Sequence, residues 1–516
     1  MDTKENVNVV IFSQNVKLES LKKIKENINN DVCTLFVTPH QLYPNERKLI
    51  GESFPKSKYI KFADLLSDSE NERCDIEAEG RSPYDLDGYY SEIRKLKNCI
   101  IINKLEKKYK LINKSICSDD LGIDAAEWIC HGFKIVKLDY FYPSFTKPLN
   151  IFFTFKENIR KILFNNTLIV SFLKKCQERR KLEAVTEDVY VAYKDGRKYI
   201  FIGKMFRIAY RMDLEWEKSE EEYDRLKKGK FERKEDCQYL TTLHESGKCV
   251  VPDKRQYDVR YIQDGYLPPN YSSCYLKYKP QNVSYYAWDI VGEKTFKKFD
   301  IPVTIMPFRR KMYLPEPVFH SKLRTILVAT SGPGDWTAQK NRSDEDVMLE
   351  TFIEIARRFP DVEIIYRCHP TWVHPAHNGV NSIKRVAEYI AYTGLTNIHL
   401  SSNIPIENLD DFILSFPRSS LEDDLKKADI VFGEHSVSML DAGFEQIPFV
   451  SVNMTGRRNL FEGISALGFP HCETVEEIEN VLKSYSSREL KKQYADAVAA
   501  YNVMTDREDD MAEVHE

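Results

Sequence analysis

Thr325-Ile326-Leu327-Val328-Ala329-Thr330-Ser331-Gly332-Pro333-Gly334-Asp335 decides the fold. Its first five residues are apolar or β-branched and have the length of a strand. Two glycines then open a turn whose backbone can lie close to a ligand. Outward from this strand, helical and extended patterns alternate. Helices are expected over 345–359, 383–392, 421–427, 439–446 and 475–485, and strands over 363–366, 397–400, 430–432 and 449–452. A helical tail covers 487–504, and the acidic residues beyond it read as frayed. Such alternation predicts a doubly wound parallel sheet that binds its ligand where the strands end.

Toward the N-terminus, residues 308–323 carry two prolines and several basic side chains and read as a linker. The first 120 residues are α/β again, with strands expected over 7–12, 34–38 and 99–102 and a Lys/Glu-rich helix over 18–28. Strands over 259–262, 285–288 and 303–306 and a helix over 293–299 precede the linker. The expected domains are 1–310, with an irregular middle at 140–255; 311–486, of nucleotide-binding type; and 487–516, a helix and tail. Residues 211–236 are a run of mixed charge and read as a solvated helix and loop. Residues 155–182 place apolar positions at helical spacing among Lys and Arg. The plain reading is an amphipathic domain helix; the other is a basic helix on the inner face of the cytoplasmic membrane.

The 516 residues suffice for two or three domains. A net charge of −4 excludes nucleic-acid binding through bulk positive charge. A hydrophobic fraction of 42%, with 28 Phe and 29 Tyr, excludes wholesale disorder. No apolar run reaches the ~18 residues of a membrane helix. The polar start Met1-Asp2-Thr3-Lys4-Glu5 reads as neither a signal nor a transit peptide. The 11 cysteines are scattered, with no C-x-x-C pair, which suits a reducing cytoplasm.

Four segments carry candidate chemistry. Arg367-Cys368-His369-Pro370 ends a strand and offers hydrogen-bond donors to an anion. Gly433-Glu434-His435-Ser436-Val437-Ser438 runs from a strand into a helix start, where hydroxyls and backbone N–H groups favour a phosphate; the plain alternative is N-capping. Asp441, one turn in, suits ribose hydroxyls. Gly332, Gly334 and Asp335 set a carboxylate at a flexible strand end, with no Walker lysine after them. Tyr261-Ile262-Gln263-Asp264-Gly265-Tyr266 places a second carboxylate after a strand. Asp85-Leu86-Asp87 has the D-x-D spacing of metal-binding transferases but reads as a loop, and no other metal-ligand spacing appears.

Two α/β domains facing a cleft describe a B-type (GT-B) glycosyltransferase, and epimerases, periplasmic-type binders and synthases share that layout. The four segments in their order resemble the retaining β-Kdo transferases of bacterial capsule and lipopolysaccharide synthesis, over roughly residues 255–485. Those enzymes use CMP-Kdo, an activated eight-carbon acidic sugar. The matching elements are Gln263-Asp264-Gly265-Tyr266, Gly332 to Asp335, Arg367 to Pro370, and Ser436, Ser438, Asp441-Ala442 and Pro448. The chain departs from the family at Gln263, where Glu is usual, and at Asp441, where Glu is commoner.

The resemblance implies a GT-B fold of two Rossmann-like domains, with residues 1–310 on the acceptor side. It implies transfer of Kdo to a glycan or glycolipid acceptor, with no metal or other cofactor. Asp335 would be the nucleophile and Asp264 the acid/base. Gly332, Gly334, Arg367, His369, Pro370, Glu434, Ser436, Ser438 and Asp441 would hold the nucleotide sugar. Two rival readings stand beside it: an inverting transferase using CMP-sialic acid, CDP-glycerol or a UDP-sugar, and a non-catalytic two-domain binding protein.

Overall fold

The computed structural model describes all residues except 1–3, 13–17, 39–41, 82–85, 118–124, 137–187, 204–211, 229, 233–236, 243–257, 264–283, 289, 299, 308–312, 331–344, 370–378, 403–418, 435–437, 455–464 and 507–516. The described strands form three sheets. Grouped by contact, Met1–Tyr140 and Leu314–Tyr501 make one compact unit, and Phe141–Tyr313 with Asn502–Glu516 the other.

The C-terminal sheet is built from β13 (Thr325–Ala329), β14 (Glu363–Arg367), β15 (Ile398–Ser401), β16 (Ile430–Gly433), β17 (Phe449–Val452) and β18 (His471–Cys472). Their order is β15-β14-β13-β16-β17-β18, and every pairing is parallel. The chain therefore winds one way from β13 to β15 and then crosses back to β16, with its switch point between β13 and β16. All five residues of β13 are buried, as a strand covered on both faces requires. Helix Glu345–Arg358 covers one face with Met348, Leu349, Phe352, Ile353 and Ala356 at helical spacing. Thr474 caps helix Val475–Lys483 by accepting the Glu477 N–H, and Glu477 accepts the Thr474 N–H in return. Tail helix Arg488–Asp506 is docked through buried Tyr494, whose hydroxyl donates to the Phe449 carbonyl at 2.6 Å.

The N-terminal sheet is likewise all parallel: β1 (Glu5–Phe12), β2 (Cys33–Thr38), β3 (Ser57–Lys61), β4 (Tyr109–Cys117) and β5 (Lys134–Ile135), in the order β3-β2-β1-β4-β5. The α/β class and two Rossmann-type windings expected from the sequence are observed. The strand expected over 99–102 is not: those residues lie inside helix Leu86–Lys108. Ile93, Lys97, Ile101 and Leu105 of that helix, four residues apart, are all buried. Leu86 and Asp87 open the same helix, so this part of the D-x-D segment is helical and not loop; Asp85 lies outside the described residues.

The other unit holds a seven-stranded sheet that the sequence reading did not separate out. It comprises β6 (Val189–Lys194), β7 (Arg197–Ile202), β8 (Glu217–Lys218), β9 (Cys237–Thr242), β10 (Asp258–Ile262), β11 (Ser284–Ala287) and β12 (Val303–Ile305). The order is β12-β11-β10-β9-β7-β6-β8, with β6 antiparallel to both β7 and β8. The mixed-charge run is only partly solvated. Helix Glu220–Lys227 lies within it, and buried Glu222 shares the Lys198 ammonium with Glu232 while Arg225 bridges the same two carboxylates. Desolvation opposes the charge on Lys198, yet its hydrogen bonds to Glu222 and Glu232 prevail and raise its pKa above the ordinary lysine value. The basic stretch 155–182 lies outside the described residues. Among the described residues no helix is long and apolar enough to cross a membrane.

Candidate functional site

The strand register of the C-terminal sheet sets one row of residues along its carboxyl edge. Ala329 pairs with Arg367 on one side and Gly433 on the other. Arg367 pairs in turn with Ser401, Gly433 with Ser451, and Ser451 with His471. The segments beginning at Ser331, Cys368 and Glu434 thus follow neighbouring strands at one level, on both sides of the switch point. That is where a doubly wound sheet holds a nucleotide.

Thr330 ties two of these segments together. Its N–H and Oγ1 both donate to the Arg367 carbonyl, at 3.2 and 2.8 Å, and its Oγ1 accepts the His369 N–H at 2.9 Å. The Arg367 side chain is 7% exposed and reaches inward. Its Nη1 donates to Asp424 Oδ2 at 2.5 Å, to Ser401 Oγ at 3.1 Å and to the Ser419 carbonyl at 3.1 Å. Asp424, 2% exposed, also accepts from Ser401 Oγ and Ser419 Oγ.

On the far side of the switch point a side chain at Gly433 would crowd its neighbours. A Cβ there would lie 3.0 Å from Met439 Cγ and 3.3 Å from the Ala329 carbonyl oxygen. Glu434 follows and is buried. Ser438 opens helix Ser438–Phe444, and Asp441 sits half-buried in its first turn. Met439, Leu440 and Ala442 bury the opposite side of that helix.

Further along the edge, Ser451 Oγ lies 2.7 Å from His471 Nδ1 and 3.1 Å from Ser465 Oγ. Sequence reasoning missed this cluster; its only signal was a serine near the end of an apolar strand. Burial pushes the neighbouring Cys472 thiol up to about 12, which keeps it protonated and unreactive.

Of the residues singled out from the sequence, Arg367, His369, Glu434, Ser438 and Asp441 are placed at this edge. Gly332, Gly334, Asp335, Pro370, Ser436 and Asp264 lie outside the described residues. In the other unit, Gln263 directly follows β10 and is 1% exposed. Its N–H donates to the Tyr286 carbonyl at 3.0 Å, and its Oε1 accepts the Trp288 N–H at 3.3 Å. Gly292 packs on that amide: a Cβ there would lie 2.1 Å from Gln263 Oε1.

No family model and no curated protein matches the chain. Solved structures similar to it include a UDP-forming α,α-trehalose-phosphate synthase from Burkholderia xenovorans, at 8% identity, covering 52% of this chain and 71% of that one, with a TM-score of 0.33. The glycosyltransferase of kitacinnamycin is 8% identical, with 98% of each chain covered and a TM-score of 0.30. Anabaena HepE in complex with UDP is 8% identical, with 98% of each chain covered and a TM-score of 0.31. At such scores the likenesses carry no argument about activity.

Proposed function

We propose that the chain is a glycosyltransferase that moves Kdo from CMP-Kdo to a glycan acceptor with retention of configuration. The observation that carries this reading is the register that sets Arg367, Ala329 and Gly433 side by side at the switch point. The strands that precede three of the candidate segments are thus neighbours in the sheet. His369 and the Ser436–Ser438 helix start would meet the single phosphate of CMP, and Asp441 the ribose. Donors fixed before the reaction stabilise the charge that grows as the phosphate leaves.

Retention follows from two displacements. Asp335 would attack the anomeric carbon as CMP departs, giving a glycosyl-enzyme. Asp264 would then take the proton of the acceptor hydroxyl as its oxygen replaces Asp335. One phosphate needs no divalent ion to gather it, so transfer is expected to survive EDTA.

A thermal-shift panel of CMP, CDP, UDP and GDP tests the reading. CMP at 100 times its dissociation constant should add about 2.7 kcal/mol of stability. A shift with UDP and none with CMP would replace Kdo by another sugar donor and leave a transferase. Silence from all four would favour a binding protein that uses no nucleotide.

A further inference from the structure

We propose that Arg367 is a positioning residue for the carboxyl-edge site and does not itself bind the anion there. The proposal rests on the reading of that edge as a nucleotide-phosphate site, and it changes which residue of the Arg367-Cys368-His369 segment does the binding. Three observations support it.

The guanidinium is buried together with a carboxylate, at 7% and 2% exposure. A buried charge persists when a partner cancels it: Asp424 accepts from Arg367 Nη1, which also donates to Ser401 Oγ and the Ser419 carbonyl, while the Ser401 and Ser419 hydroxyls donate to the same carboxylate. A phosphate approaching the edge would therefore meet a neutral pair and not a cation.

The pair also ties separate elements together. Arg367 ends β14, Ser401 ends β15, and Asp424 belongs to helix Leu421–Leu425. One guanidinium nitrogen of β14, Nη1, reaches the other two elements, and also the Ser419 carbonyl just before the helix.

The strand end held this way is the anchor for the site. The Arg367 carbonyl holds Thr330, and the Thr330 hydroxyl holds the His369 N–H. Asp335 follows Thr330 by five positions in the chain. Fixing Arg367 thus fixes the points from which the His369 and Asp335 segments start.

The two roles predict opposite signs for one substitution. Asp424→Asn removes the charge that balances Arg367. An anion-binding arginine would then bind CMP more tightly. A positioning arginine would lose its anchor, and CMP should weaken by about tenfold, within the range that coupled contacts show. Arg367→Gln should weaken CMP by a similar factor. The double variant Arg367→Gln/Asp424→Asn buries no charge, should fold even where a single variant does not, and should bind CMP no worse than either single variant.

Calorimetric titration of CMP into the three full-length variants, well below their melting temperatures, reads this out. Tighter CMP with Asp424→Asn, or a double variant much weaker than Asp424→Asn alone, overturns the proposal. Should the wild-type protein bind no nucleotide, the functional reading fails and the positioning role is judged separately. Hydrogen exchange at the Thr330 and His369 amides should then quicken in both single variants, and unchanged exchange overturns it.

Discussion

Glu46 and Arg385, 339 positions apart, form a buried two-pronged ion pair: Nε donates to Oε1 at 2.8 Å and Nη2 to Oε2 at 2.9 Å. The same carboxylate accepts the Tyr43 N–H at 2.8 Å and so helps start helix Pro44–Ser53. Arg385 lies over the Tyr43 ring at 4.6 Å, and that ring stacks on Tyr389 at 4.6 Å. Helix Gly379–Thr393 of the C-terminal sheet is thereby fastened to the N-terminal sheet. Removing one member of such a pair leaves the other charge buried alone. Arg385→Ala should cost about 3–5 kcal/mol in urea unfolding. A loss below about 1 kcal/mol, the level of an exposed pair, would show that the contact is not what fastens the two sheets.

Acid should loosen one identifiable contact between helices Asp68–Arg81 and Leu86–Lys108. The hydrogen bond from Lys104, joined by the Ser67 N–H, holds the Glu70 carboxyl down at about 2. Its folded value lies below its unfolded one, so the contribution is complete above the ordinary carboxylate range and is lost as pH falls toward 2. The stability difference between wild type and Lys104→Met should shrink steadily from pH 5 to pH 3. A difference independent of pH would remove Glu70 from the account.

Gly292→Ala should drive the Gln263 amide out of its seat, since the new methyl would overlap Oε1. Overpacking of this kind costs about 1–3 kcal/mol. Asp264 directly follows Gln263, so transfer should also fall by more than the lost stability explains. A Gly292→Ala protein with wild-type melting and turnover would mean that the Gln263 seat is not needed.

Asp335→Asn and Asp264→Asn should fail in different ways. The first removes the proposed nucleophile, and transfer should fall by about 10³-fold or more. The second removes the proposed acid/base, with a loss of about 10²–10⁴-fold. A glycosyl adduct on the peptide that holds Asp335 should be trappable by mass spectrometry only in the Asp264→Asn protein. An adduct on another residue would overturn the assignment.

The C-terminal sheet was legible in the sequence because its strands from β13 to β17 are short, mostly apolar and mostly buried runs, in which the exposed His399 and the buried Ser451 are polar exceptions. Helix Leu86–Lys108 was not, because Cys99-Ile100-Ile101-Ile102 looks like a strand and because buried Lys97 interrupts the apolar spacing. β4 was missed for the converse reason: Lys110, Asn113 and Lys114 dilute it. The β6–β7 hairpin did leave a signal. Asp195-Gly196 is the two-residue turn that such hairpins favour, and both residues have positive φ, 51° and 77°. At the site, the strand ends pointed to Arg367, His369 and Glu434, which end or follow neighbouring strands, but not to their tasks. Nothing in the sequence linked Arg367 to Asp424, 57 positions on.

The ion pair between Glu46 and Arg385 also sets a timetable for synthesis. At about 5–20 residues per second, Arg385 is made roughly 17–70 s after Glu46. Throughout that interval the nascent N-terminal sheet presents Tyr43 and a lone carboxylate on a surface meant to be covered, while the whole of 141–313 is still being added. A chaperone that shields residues 43–50 until translation passes 385 would raise the yield of folded chain. Expressing 1–140 by itself would leave that surface open to aggregation.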